Sequence, residues 1–167
     1  MNSSKDLIAK AHLVFSFIRG LYLLAEDELR QNIKEHGLTY SGFRILWILY
    51  FDKKMNMTDL SFISQTNISN TYRQLVKLKE QNLVLIDNGK DARNKEATLT
   101  ESGKKFVDDV ISKNEKVTNL EFITILSKIP KEDLDKFIEV ASILSSQLIG
   151  QPFTDWVLKT ANKIKEN

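Results

Sequence analysis

The sequence predicts a mainly α-helical chain with a small β wing, and three observations carry that prediction. Apolar residues recur at steps of three and four toward both ends of the chain. A β-favouring run and its return flank a cluster of turn formers, and three short, capped helices precede that cluster. The 167 residues, 42% of them apolar, suit one compact domain, 1–167, able to bury a core without staples. The chain contains no cysteine, which removes disulfide scaffolds, thiolate zinc sites and thiol nucleophiles.

Each element has a local reason. Ile8, Ala11, Phe15, Ile18, Tyr22, Ala25 and Leu29 form the seam of a long first helix, which ends at His36-Gly37 because glycine suits a left-handed cap. Lys10, His12 and Arg19 interrupt its apolar stretch, making it a poor membrane span, and no small-residue cleavage site follows. A cytoplasmic location without membrane partners is therefore expected. Thr39 caps a very apolar second helix through Phe51, Thr58 a third over Asp59 to Gln65, and Asn67 a fourth over Ile68 to Gln81. Asn82 ends the fourth, since asparagine tolerates positive φ. Leu83-Val84-Leu85-Ile86 and Ala97-Thr98-Leu99-Thr100 read as a hairpin around the turn formers Asp87-Asn88-Gly89-Lys90-Asp91, and Met55 and Met57 are placed on a short strand beside it. Helical periodicity resumes beyond Gly103. Leu134, Phe137, Ala141, Leu144 and Leu148 mark a long helix with Pro130 in its first turn, ended by Gly150-Gln151-Pro152. Phe153, Trp156, Thr160 and Ile164 mark a last amphipathic segment.

Three short helices followed by a hairpin are the plan of a winged helix-turn-helix, with the fourth helix of the chain in the recognition position. A net charge of +2 is too small to announce a nucleic-acid binder, but its distribution is uneven. Between Ser69 and Lys95 lie six bases (Arg73, Lys77, Lys79, Lys90, Arg93, Lys95) against three acids (Glu80, Asp87, Asp91), whereas the remainder holds 18 bases and 19 acids. The excess positive charge belongs to the expected reading head. With Ile68, Thr71, Leu75 and Leu78 as the buried stripe, Ser69, Asn70, Tyr72, Arg73 and Lys77 face outward. Arginine and asparagine can pair bidentately with guanine and adenine edges, whereas a lysine such as Lys77 suits a phosphate.

Other functions are less well served. A solvated helix face carries similar residues, and a winged helix can dock protein instead of DNA; that use calls for exposed apolar anchors, for which Tyr72 and Val76 are the candidates. No nucleophile elbow, phosphate loop, metal-ligand pair or paired-carboxylate motif occurs, and His12 and His36 are isolated, so neither an enzyme nor a cofactor is expected. Trp47 reads as core, and Trp156 as docking the last helix in preference to covering a pocket.

Asp91-Ala92-Arg93, then Leu99-Thr100-Glu101-Ser102-Gly103, with Thr58-Asp59-Leu60, Ile68-Ser69 and the Leu78 to Leu83 spacing upstream, resembles the MarR family of bacterial transcription regulators. The likeness is close over about residues 38 to 110 and rests on pattern alone in the flanking helices. Asp91-Ala92-Arg93-Asn94 and the C-terminal segment are most similar to the branch containing the protease-production regulator Hpr. The resemblance implies a homodimer interlocked through helical regions 1–37 and 104–167, presenting two heads, 38–103, to successive major grooves of double-stranded DNA at a pseudo-palindromic site. It implies a repressor more than an activator, with Ser69, Asn70, Tyr72 and Arg73 reading bases. Physical sense supports the dimer, since the long apolar seams exceed what so small a head can cover. Gly20 would permit close helix approach. Arg93 matches the wing arginine that enters the minor groove, unless it pairs with Asp91 to stiffen the wing. Ala92 departs from the basic residue of most relatives, with Lys90 and Lys95 left to hold phosphates. Many relatives respond to small aromatic molecules bound between dimer helices and head, and the resemblance admits such an effector here; a cysteine switch is excluded.

Overall fold

The computed structural model describes residues 4–88, 95–116 and 120–166. Helix α1 (Ser4–Ile33) passes through a 3-10 turn, Lys34–His36, to Gly37, whose φ of 67° supplies the left-handed stop expected there. The head follows as α2 (Tyr40–Asp52), β1 (Lys54–Asn56), α3 (Met57–Ile63), α4 (Ile68–Glu80), β2 (Val84–Asn88) and β3 (Lys95–Leu99). Among the described residues four further helices follow: α5 (Glu101–Lys116), α6 (Glu121–Leu126), α7 (Lys131–Leu148) and α8 (Gln151–Glu166). The architecture is the expected one, mainly helical with a small antiparallel wing.

Capping chemistry sets the short helices. Thr39 Oγ1 accepts the Gly42 amide at 3.0 Å to start α2, and Asn67 Oδ1 accepts the Asn70 amide at 2.8 Å to start α4. The third helix departs from expectation. Asn56, extended at the end of β1, accepts the Asp59 amide at 2.9 Å, so the helix begins at Met57 and Thr58 falls inside its first turn. Met57 is accordingly helical, and Met55 alone of the two methionines sits on β1, opposite Ala97. Asn82 has a φ of 56°, as its position after α4 required; Lys53 and Gln65 share positive φ without announcing it by residue type.

The sheet is antiparallel with order β1-β3-β2, and β3 is its central strand. Ala97 is buried between Met55 and Ile86, its cross-strand neighbours. The core gathers Ile33, Ile45, Leu46, Ile48 and Leu49 under Leu60, Leu75, Leu78, Val84 and Val107. Burying a side chain of this size contributes about 1.5–3 kcal/mol, so the head holds the cohesive part of the fold. The buried stripe of α4 is Thr71, Gln74, Leu75 and Leu78, at relative steps 0, 3, 4 and 7. Ile68 belongs one turn earlier and is 54% exposed, against the expectation that it is buried. Gln74 takes a buried place instead because its amide oxygen accepts the Thr39 hydroxyl at 2.7 Å.

Outside the head, apolar surface is left uncovered. Leu13, Phe15, Phe17, Ile18, Leu21 and Leu24 of α1 are exposed, as are Phe137, Ile138, Val140 and Ile143 of α7, which has no buried residue. Among the described residues α1 is the one helix long and apolar enough to cross a membrane by length and composition, despite the three interrupting basic groups. Apart from the helix's own backbone and the adjoining residues, no described atom lies within 4 Å of the Cβ that Gly20 would carry. Gly150, at φ 129°, turns the chain so that α8 folds back against α7 and α3.

Candidate nucleic-acid interface

The outer face of α4 is built by its own periodicity: once Thr71, Gln74, Leu75 and Leu78 point inward, the intervening positions face solvent. Ser69, Arg73 and Lys77 are exposed, Tyr72 is 43% exposed and Asn70 is half-buried. Asn70 is already engaged, since Nδ2 donates to Thr66 Oγ1 at 3.0 Å and Oδ1 accepts from Arg73 Nη2 at 2.8 Å. One side chain thus holds the guanidinium in place while the other Arg73 donors stay outward. Two of the residues singled out for base reading form one unit.

A second unit joins helix and wing. Lys95, at the first position of β3, lies 4.7 Å from the centre of the Tyr72 ring and 3.4 Å from its hydroxyl. Tyr72, Val76, Lys79, Glu80, Ile86 and Lys95 line an open groove of about 580 Å³ between α4 and the wing. Lys79 and Glu80, which the sequence marks only by their charge, take places in this groove. Lys90 and Arg93 lie outside the described residues, as do Asp91, Ala92 and Asn94.

A crevice of about 560 Å³ runs beneath the head, floored by Tyr40, Phe43, Arg44 and Trp47 of α2, with Phe122 of α6 and Trp156 of α8 among its walls. Arg44 Nε and Trp156 Nε1 are buried and meet no hydrogen-bond partner among the described residues. Arg44 Nη2 reaches the Ile63 carbonyl at 3.5 Å. Trp47 packs against the core and also lines this crevice, and Trp156 both docks the last helix and covers the space, so its two readings hold together. Arg44 escaped sequence reasoning, although a single basic residue within the apolar run of α2 was a usable signal. No His, Asp and Glu grouping able to hold a metal occurs among the described residues.

No family model matches the chain. The HTH-type transcriptional regulator Hpr of Bacillus mycoides is 25% identical over 178 residues, covering 99% of this chain and 93% of the relative. A MarR transcriptional regulator from Methanosarcina mazei superposes with a TM-score of 0.70 at 24% identity, covering 81% of this chain and 96% of the other. The overoxidized regulator AbfR, solved bound to DNA, gives a TM-score of 0.61 at 20% identity, over 88% of this chain and 100% of the other. These likenesses extend over four-fifths or more of the chain, which has the winged helix-turn-helix fold of MarR regulators.

Proposed function

We propose that this protein is a MarR-family transcription regulator, akin to the Hpr branch, that binds a pseudo-palindromic DNA site as a homodimer and represses the adjoining gene. The observation that carries the reading is the outward, polar and cationic face of α4 with Lys95 alongside, placed on a fold that AbfR uses on DNA. Ser69, Tyr72 and Arg73 would meet base edges in the major groove. Asn70 serves first to aim Arg73, and an adenine contact would require it to exchange one of its two internal bonds. Lys77, Lys90 and Lys95 would hold phosphates, and Arg93 would enter the minor groove, a role drawn from the wing resemblance.

Residues 1–37 and 104–167 would form the dimerisation region around heads 38–103. The exposed apolar faces of α1 and α7 support this, because a second copy offers each the other's complement. Cover by a partner chain also accounts for the apolar length of α1 in a cytoplasmic protein. The crevice supports a small aromatic effector whose acceptor oxygen would meet Arg44 Nε or Trp156 Nε1.

Titration of genomic fragments by fluorescence anisotropy at two salt concentrations, with unrelated competitor DNA, tests the reading. A site-selective complex whose affinity falls steeply with salt is expected. Arg73→Ala should weaken it by about 1–3 kcal/mol, or about 5- to 150-fold. The exposed Ile68 beside Tyr72 favours the second reading, a protein-docking helix, although an apolar side chain there also fits a thymine methyl. Purely nonspecific DNA binding would move the balance to protein docking.

A further inference from the structure

The α7 helix presents a difficulty that α8 resolves. Since α7 buries none of its residues, its own packing does not set its angle to the head. Beyond the covalent path through α6, the two are joined by α8, which packs on α7 at one side and on α3 at the other.

Both attachments are specific. At the α7 side Gly150 makes the turn in a conformation that L side chains rarely adopt, and the elbow is pinned by Thr154 Oγ1 donating to Ser145 Oγ at 2.9 Å and by Ser146 Oγ donating to Gln151 Oε1 at 2.7 Å. At the head side Phe153 and Trp156 pack against the core, and Thr154 and Thr160 are buried. Lys159 Nζ pairs with Asp52 at 3.0 Å, and Lys163 Nζ donates to the Phe51 carbonyl, one of the last carbonyls of α2. Asp52 is largely covered, at 16% exposure, while Lys159 stays 59% exposed, so a reversed charge at Asp52 is felt within the seam even though the two aromatic rings supply most of the grip.

We propose that α8 is a strap that fixes the orientation of the winged head relative to α7, held by docking of Phe153 and Trp156 and hinged at Gly150. Trp156 and Ile164 also form the α8 wall of the crevice under the head. That a fixed head angle sets the spacing of two heads on DNA rests on the proposed function; the strap itself does not.

The absence of native cysteine makes a direct measurement simple. Spin labels are placed at Lys79→Cys on α4 and Lys136→Cys on α7, both exposed positions, and labelled chain is diluted with unlabelled chain so that intrachain distances dominate. The protein without further substitution should give one narrow distance distribution. Trp156→Ala or Phe153→Ala should spread it, while hydrogen exchange in 151–166 rises and that of α4 stays slow. Asp52→Lys should spread it by repelling Lys159 and Lys163, and combining it with Lys159→Asp should narrow it again. A distribution that stays narrow in both aromatic variants overturns the strap. If an aromatic variant also exposes the α4 amides, the charge reversal and its rescue decide, and an unchanged distribution in Asp52→Lys is then the overturning result. Failure of the unaltered protein to bind DNA would count against the proposed function, while the measured distances would still decide for or against α8 as a strap.

Discussion

A methyl group at Gly103 would have nowhere to go. Its Cβ would lie 2.1 Å from the Leu83 carbonyl oxygen, because α5 starts directly against the end of the turn after α4. The neighbouring threonine explains why: the Thr100 amide donates to Leu83 O at 3.1 Å, its hydroxyl donates to Asn82 O at 2.7 Å, and Thr100 Oγ1 itself accepts the Gly103 amide at 3.0 Å. Leu-Thr-x-x-Gly is thus a joint between wing and α5. Gly103→Ala is expected to destabilise the head by about 1–3 kcal/mol, read as a lower urea midpoint. Tyr50 of α2 makes a pH-dependent contribution where it meets α5. Its hydroxyl donates to Asp108, and that hydrogen bond first, with burial second, pushes its pKa up to about 12. The folded protein therefore holds this proton more tightly than the unfolded chain. The stabilisation is complete below about pH 10 and is lost as the pH rises toward about 12. The difference in urea midpoint between the unaltered protein and Tyr50→Phe should shrink across that interval.

Single elements show which local signals are decisive. A cap that accepts the amide three residues on fixes a helix start, and Asn67→Ala should cost about 1 kcal/mol by releasing the Asn70 amide at the head of the recognition helix. The same signal misled at α3, where both Asn56 and Thr58 have capping side chains. Pairing of β1 with β3 carries Asn56 in extended conformation to the point where its oxygen meets the Asp59 amide. A strand partner distant in sequence thereby chose between two adjacent candidates. The stripe of α4 shows the converse, since Ile68 fits the apolar pattern yet stays exposed, while Gln74 is buried through its bond with Thr39, 35 residues away. Helix α6 left no readable period because six residues span fewer than two turns.

At the scale of the whole molecule, uncovered apolar surface dominates. The exposed faces of α1 and α7 hold far more large side chains than a lone soluble chain leaves open, and a twofold-related copy is the cover proposed for them. Phe17→Asp and Phe137→Asp, each placing a charge on one of these faces, are expected to convert the proposed dimer to monomer in sedimentation while leaving the folded head intact. A loss of site-selective DNA binding should accompany dissociation, because two half-sites are then no longer read together. An unchanged mass in both variants would place the contact elsewhere.

Sequence alone determined the long helices at both ends, the capped starts of α2 and α4, the left-handed stops at Gly37 and Asn82, the antiparallel pair after α4 and the outward positions of Ser69, Tyr72, Arg73 and Lys77. Each follows from backbone chemistry or helical period, which act over a few residues. Tertiary structure alone decided that Asn70 grips Arg73, that Lys95 lies over Tyr72, that Arg44 and Trp156 face one crevice and that α8 reaches back to the head. The grip of Asn70 depends on which of several local rotamers the surroundings select. The others join side chains far apart along the chain, whose meeting is set by how the elements pack and not by any property of the residues between them.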